Sequence, residues 1–449
     1  MAQRSGLTRG DRRRNGRIGA LRGMIRPDRA ILAIDLGEDK QVAVLMDDDG
    51  RVLGRRTVTM KTYALGALLG WAQVEASQRA FTGVVVGCEP TGHRWRALMA
   101  LADDAGLGFV CVQPLRVHLA READDYTRDK TDQKDAVLIG KLIARLDCYL
   151  PERAEPDWAR LRHLGACRAR LVSDLITSGQ QILDLLGCCW PAGLECAARP
   201  LECTTWLACL AAVVDGCDGD PAGLARLGRD GFFAAVRAQL GRFGGQRLSR
   251  QVAERVFAAL TNSAGVPAQR RGGLERVGLL LRDRSHTTAR LSDVEQRMVG
   301  VLDAMGLTTL VTTVPGLSAV GAAVILAETG DLSRFASARS VVKHAGLSPA
   351  ENTSATLRGK THVSRRGRPG LRLAAWRAVW GALPHNPVLA ARFAHLTRRD
   401  HDRLAAGQAR TACAATLLRW LYAIVTRRQP FNPDIAAGRT RPHNLAQAA

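Results

Sequence analysis

"AILAIDLGEDKQVAVLMDDDGRVLGRRTV", Ala30 to Val58, holds three apolar runs separated by two polar turns, GEDK and DDDG. Short runs broken by Gly and Asp clusters read as a meander of three strands. The next stretch, Lys61 to Arg79, is helix-like. FTGVVVGCEPTG then supplies a buried strand ending at Glu89, HRWRALMALADDAG a helix, and LGFVCVQP a further strand stopped by Pro114. From Thr131, TDQKDAVLIGKLIARL opens with polar residues and continues as an apolar-rich helix.

A strand meander followed by alternating helices and strands is the element order of an α/β domain of the RNase H-like kind. The chain has 449 residues, enough for two or three domains with cores of their own. Its longest apolar stretches, such as WLACLAAVV at 206–214, are too short to span a bilayer, so no membrane partner is expected. Lys and Arg outnumber Asp and Glu by 64 to 42, a formal charge of +22, which favours a polyanionic partner, nucleic acid first. RGDRRRNGRIGALRGMIR at 9–26 is the densest basic block and reads as a flexible arm on phosphates or a solvated terminus. It lacks the apolar core and cleavage site of a secretory signal. Eleven cysteines, an odd number, point to reduced thiols and a cytoplasmic, nucleoid-associated setting. Cys188, Cys189, Cys196, Cys203, Cys209 and Cys217 crowd one segment, but without a CxxC pair or an intervening His the spacing argues against zinc.

Residues 154–187 and 270–304 read as long helices. Leu274, Val277, Leu281, Leu291, Met298 and Leu302 form one stripe, interrupted near Arg284 and Thr288, for pairing with each other or with another subunit. The Gly- and Ala-rich segment between them, 190–268, suggests helices with no assigned task. Further on, TTVPGLSAVGAAVILAETGDLSRF has a Pro315-Gly316 turn and an apolar helix, the pattern of a helix-hairpin-helix or of an ordinary tight helical turn.

Asp35 closes the first strand, Glu89 a later one, and KTDQKDA (130–136) puts Asp132 and Asp135 on the first turn of a helix. Strand ends of an α/β sheet converge on one edge, and side chains three apart on a helix share a face. Taken singly, Asp35 is also readable as a turn residue and Asp132 as a helix N-terminal carboxylate. Glu89, however, follows VVVGC, where burial otherwise asks for an apolar residue. Converging carboxylates repel one another unless cations neutralise them. Hard oxygen donors select Mg²⁺ or Mn²⁺, and two such ions ~3.5–4 Å apart activate an attacking oxygen and stabilise a leaving one in phosphodiester chemistry. Of the neighbouring acids, Asp39 falls in a turn, and Asp124, Asp125 and Asp129 lie in READDYTRD, which reads as a polar loop.

These residues resemble the DEDD transposases of the insertion sequence 110 family. AIDLGEDKQVAV, VGCEPTGHRW and KTDQKDA look like that family's three catalytic segments; VPGLSAVGAAVILAETGDLSRF, HAGLSPAENTSATLRGK and a following LR look like its second conserved domain. The likeness covers about 30–148 and 306–383, in the family's order. It implies a RuvC-like, RNase H-like N-terminal domain whose catalytic and metal-holding acids are Asp35, Glu89, Asp132 and Asp135. It also implies a serine nucleophile from the second domain, matched by Ser354 in ENTSATLRG, although Ala355 stands where the family pattern has Gly. Thr353 and Ser348 align less well. Donor and target DNA, an element-encoded guide RNA, a phosphoserine intermediate, and a homo-oligomer from dimer to tetramer are what the resemblance adds. The expected division is a basic arm at 1–28, the catalytic domain at 29–150, a helical, coiled-coil region with an insertion at 151–305, the mainly α transposase domain at 306–400, and a C-terminal helix with a loose tail at 401–449.

Three other readings remain open. A metal-dependent Holliday-junction-type nuclease would use the same acids with water as nucleophile. An actin-like or sugar-kinase ATPase can also begin with AIDLG, but later Asp-x-Gly and Gly-Gly nucleotide segments are missing in the expected arrangement. The third is an inactive DNA- or RNA-binding relative, which the intact acid set disfavours.

Overall fold

Alternation of buried side chains along the first strand decides how the N-terminal part is layered. The computed structural model describes residues 6–124, 131–153, 155–350, 353–354, 357–358 and 362–438, and the chain divides into two units, Met1–Arg153 and Ala154–Ala449. In the first unit, α1 (Arg9–Met24) precedes β1 (Arg29–Leu36), β2 (Lys40–Met46) and β3 (Val52–Thr59), the expected antiparallel meander. Then come α2 (Thr62–Gln78), β4 (Gly83–Cys88), α3 (Arg94–Asp104), β5 (Gly108–Cys111), α4 (Pro114–Asp124) and α5 (Asp132–Ala144). The strands form one sheet in the order β3-β2-β1-β4-β5, with β4 parallel to both β1 and β5.

Side chains of a strand point alternately to opposite faces. Ala30, Leu32, Ile34 and Leu36 of β1 pack with Leu65, Leu68 and Leu69 of α2 and Leu98 of α3. Ile31 and Ala33 belong to the other face, with Ala136, Ile139 and Ile143 of α5. The central strands are therefore covered on both sides, which explains their nearly unbroken apolar sequence. Gly140 lets α5 lie close to the sheet: a Cβ there would stand 2.3 Å from the Met46 sulfur and 3.2 Å from the Ala33 Cβ.

The N-terminal basic block, expected as a flexible arm, is instead the helix α1. Thr8 and Asp11 form a reciprocal cap, the Thr8 hydroxyl accepting from the Asp11 amide and the Asp11 carboxylate accepting from the Thr8 amide. Leu21 and Ile25 anchor its end in the core under α5, while residues 12–20 stay exposed. Charge density in the sequence hid two apolar anchors one turn apart. Arg121–Asp124, the start of READDYTRD and expected as a loop, form the last turn of α4; Asp125 and Asp129 lie outside the described residues.

In the second unit, the long helices α6 (Pro156–Cys189) and Pro267–Ala304 pair with each other. Their stripe serves two cores. Leu274, Val277 and Leu281 pack with Ile182, Leu186, Trp206, Phe232 and Val256. Met298 and Leu302 pack with Trp158, Leu161 and the helices Ala319–Thr329, Pro369–His385 and Ala406–Arg427. The interruption at Arg284 lies between the two cores, where its guanidinium donates to the Leu175 carbonyl at 2.7 Å, and Arg168 pairs with Glu295 at 2.8 Å. Segment 190–268 thus supplies the helices of the first of these cores. Its buried Cys196, Cys209 and Cys217, with Cys189 at the end of α6, pack there as small apolar groups, burial pushing the Cys196 thiol up to about 11 and that of Cys209 to about 12.

The Pro315-Gly316 turn precedes the apolar helix Ala319–Thr329, whose N-cap Ser318 accepts from the Gly321 amide. Gly316 has φ +78°, and a Cβ on it would meet the Gly381 carbonyl oxygen at 2.5 Å. Among the described residues no helix is long and apolar enough to cross a membrane.

Gly140→Ala should destabilise the first unit by ~1–3 kcal/mol through overpacking, whereas Gly66→Ala, whose Cβ meets nothing within 4 Å, should stabilise it by up to about 1 kcal/mol through helix propensity. Urea denaturation of both variants checks the pair, and equal effects would contradict the close packing of α5.

Candidate active site

Parallel pairing of β1 and β4 brings two carboxylates together. Ile34 is the register partner of Cys88, so Asp35 and Glu89 are the next residues along adjacent strands, whose spacing is about 4.8 Å. Both follow the parity of Ala33 and Gly87 and so belong to the face that α5 covers. Each is half-buried, and each takes part in polar interactions within the protein. Their charge is felt underneath: the buried Cys88 thiol is held well above its ordinary value by its hydrogen bond with Cys111, by burial, and by the Glu89 and Asp35 carboxylates. Beside them the β1–β2 turn is tied to α3, since Arg94 donates to the Gly37 carbonyl at 3.0 Å.

The helix α5 begins where the sequence put it, with the Thr131 hydroxyl accepting from the Lys134 amide. Its two acids differ. Asp132 is exposed, whereas Asp135 is 4% exposed and held bidentately by Arg121, Nε to Oδ1 and Nη2 to Oδ2, both 2.8 Å. A buried carboxylate needs such a cation, and Arg121 on α4 supplies it. The sequence reading missed Arg121 because it placed this residue in a loop; a helix continued from Pro114 would have carried it opposite α5. Of the rival acids, Asp39 is exposed in the β1–β2 turn.

The structure thus sets Asp35 beside Glu89, and Asp132 and Asp135 on the helix covering the same face. It does not gather all four: among the described residues no three Asp, Glu, His or Cys side chains stand at the spacing of a metal site. The oxygen-only donors of Asp35 and Glu89 fit a hard cation such as Mg²⁺ or Mn²⁺. Asp135 has its counter-charge in Arg121.

Ser354 belongs to the second unit. It lies on a β-ribbon in which β6 (Pro349–Ala350) pairs with β9 (His362–Val363), and β7 (Thr353–Ser354) with β8 (Leu357–Arg358), Ser354 opposite Leu357. Only the backbone of Thr353 and Ser354 is described. At the ribbon's base the Ser348 carbonyl accepts from the Ser364 amide, and the His344 carbonyl from the Arg368 amide at 2.7 Å. The His344 ring lies 5.3 Å from that of Phe335, and its Nε2 is buried without a hydrogen bond. Burial, then the charges of Arg334, Arg368 and Arg162, lower its pKa to about 4.

Two family models match segments that carry these residues: the DEDD transposase model of IS110 type over 32–191, and the model "Transposase IS116/IS110/IS902 family" over 308–394. The chain belongs to the IS110 family of transposases. It is a DNA transposase of an insertion element. The 44.8 kDa protein of insertion element IS116 from Streptomyces clavuligerus is 25% identical over 77% of this chain and 83% of its own length. The IS117 mini-circle protein of Streptomyces coelicolor, named as a transposase candidate, is 26% identical over 82% and 87%. The 43.6 kDa protein of IS110 from the same species is 26% identical over 65% and 69%.

Arg121→Ala, which strands Asp135, should cost ~3–5 kcal/mol of stability in metal-free buffer, and Arg121→Ala/Asp135→Asn should recover part of it; chemical denaturation reads both. For His344 the unfolded chain gains a proton near pH 6.5 and the folded chain only near 4, so stability is full above pH 6.5 and falls as pH drops toward 4. The loss is at most about 1.4 kcal/mol per pH unit. Melting temperatures from pH 7 to 4.5 should decline less in His344→Gln than in the unsubstituted chain.

Proposed function

We propose that this IS110-family transposase cuts and rejoins DNA with carboxylate-held metal ions and a serine nucleophile, in an RNase H-like, RuvC-like N-terminal domain over 29–150 and a second domain over 306–400. The reading rests on one observation above the others, the β1–β4 register that sets Asp35 beside Glu89 in a segment matching the family model. The strand order β3-β2-β1-β4-β5, with β2 antiparallel, supports the RNase H-like assignment.

Asp35, Glu89, Asp132 and Asp135 would hold Mg²⁺ or Mn²⁺, with Arg121 yielding Asp135 to the cation. When bound, the metal would polarise the scissile phosphate and offset charge on the attacking and leaving oxygens. Ser354 attacks phosphorus through its hydroxyl oxygen; the new ester bond replaces the bond to a deoxyribose oxygen, which leaves with the proton. The phosphoserine so formed conserves the phosphodiester energy, and attack by another strand's hydroxyl releases Ser354 and joins the strands. Donor and target are DNA, paired with an element-encoded guide RNA, and the assembly is a dimer or tetramer that supplies several such sites. The charge of +22 supports the holding of both nucleic acids.

A denaturing gel of protein, element-junction DNA, the element's noncoding RNA and Mg²⁺ tests this. A protein–DNA adduct should form and fall at least a hundredfold in Ser354→Ala and in Asp132→Ala. Undiminished cleavage in Ser354→Ala with no adduct would leave the water-using nuclease instead.

A further inference from the structure

Beside the base of the ribbon, a cleft of about 1000 Å³ in the second unit is lined by Arg365, Arg392 and Arg419 and, among the described residues, by no carboxylate. Arg365 follows β9, Arg392 lies on the helix Pro387–Arg398, and Arg419 on Ala406–Arg427. Arg339, on Ala338–His344, adds a fourth positive charge: partial desolvation and the charges of Arg392 and Arg339 all lower the pKa of Arg419. Among the described residues none of these four guanidiniums hydrogen-bonds to or ion-pairs with a carboxylate, whereas Arg121, Arg168 and Arg368 each do. Clustered arginines without counter-charge repel one another, and an anion relieves the repulsion. The first turn of Ala406–Arg427 faces the same cleft through Gly407 and Gln408, and its N-cap, Ala405, has no side-chain oxygen to cap those amides. Among the described residues the charge on this wall is all of one sign.

The rest of the lining narrows the ligand. Leu404, Ala412 and Ala415 give an apolar wall next to the guanidiniums, which suits the edge of a deoxyribose, and among the described residues the lining holds no Phe, Tyr or Trp, only the ring of His362. Pro349 and Val363, register partners at the root of the ribbon, form another part of it. Ser354 is four residues beyond Ala350, at most ~14 Å along the chain.

We propose that this arginine cleft grips a backbone phosphate of the DNA strand that Ser354 attacks, a few nucleotides from the scissile bond, without reading base sequence. The assignment of DNA rests on the serine reading above; the grip on a phosphodiester rests on the cleft alone. Each phosphate contact made by a cation steepens the fall of log affinity with log salt by about 0.9 for duplex DNA.

The test is fluorescence-anisotropy titration of the full chain with element-end duplex DNA over a series of salt concentrations. Arg392→Gln/Arg419→Gln should lower affinity about tenfold at low salt and make the salt slope shallower by about one to two contacts. Arg237→Gln/Arg250→Gln, an equal charge change on exposed residues of the other core, should match the unsubstituted chain. Arg392→Lys/Arg419→Lys, which keeps the charge, should keep the slope; a loss as large as in the glutamine pair would show that packing, not charge, is at work and would overturn the proposal. A neutral methylphosphonate placed a few nucleotides from the cleavage point should weaken binding to the unsubstituted chain and not to the glutamine pair. Unchanged slope and affinity in the glutamine pair, or a loss confined to an RNA oligonucleotide, would also overturn it. Binding needs no chemistry, so Ser354→Ala should keep the full slope. An unchanged slope in the glutamine pair alongside an intact serine adduct defeats the cleft alone, and a reduced slope with no adduct defeats the serine reading alone.

Discussion

Like charges on adjacent strand ends are the constraint around which the N-terminal unit is arranged. The β1–β4 register makes Asp35 and Glu89 neighbours, and like charges on adjacent strand ends favour a nearby cation. Elsewhere the sheet offers little room for such charge, because α2 and α3 cover one face of β1 and β4 and α5 the other. Asp35 and Glu89 stand at the carboxyl ends of β1 and β4, the usual edge for a site in an α/β sheet. Close packing at Gly140 then sets how near the first turn of α5, with Asp132 and Asp135, lies to that edge.

The second unit meets a different demand, that of carrying a short ribbon on firm supports. A two-stranded ribbon is marginal by itself. Its root is tied through the Ser348 and His344 carbonyls, while the helices behind it share one core with the ends of both long helices. Positive charge accumulates around this root, in the His344 surroundings and in the cleft of Arg365, Arg392 and Arg419. A segment that must hold a polyanion gains affinity from such charge and gives up some stability to self-repulsion.

Much of this was legible in the sequence, for identifiable reasons. Strand lengths, turn clusters and the polar start of α5 carry period and capping signals that act locally, so the meander and the positions of Asp35, Glu89, Asp132 and Asp135 were readable. What escaped depended on tertiary partners. In α1, Leu21 and Ile25 are too few to stand out among arginines, and they matter only because a core lies beneath them. Arg121 becomes meaningful only once Asp135 is known to be buried against it. Arg284 looked like a flaw in a coiled-coil stripe, whereas it separates two cores by bonding to a backbone carbonyl of the partner helix. The three arginines lining the cleft are spread over 55 positions, from 365 to 419, and no local pattern announces it.

The proposed chemistry depends on the carboxylate pair as a cation site. Anomalous scattering from crystals soaked in Mn²⁺, with element DNA present, measures this most directly. A manganese peak within coordination distance of both Asp35 and Glu89, with Arg121 withdrawn from Asp135, is the expected result. Saturating Mn²⁺ with no peak at that pair, and Arg121 still bound to Asp135, would contradict the account.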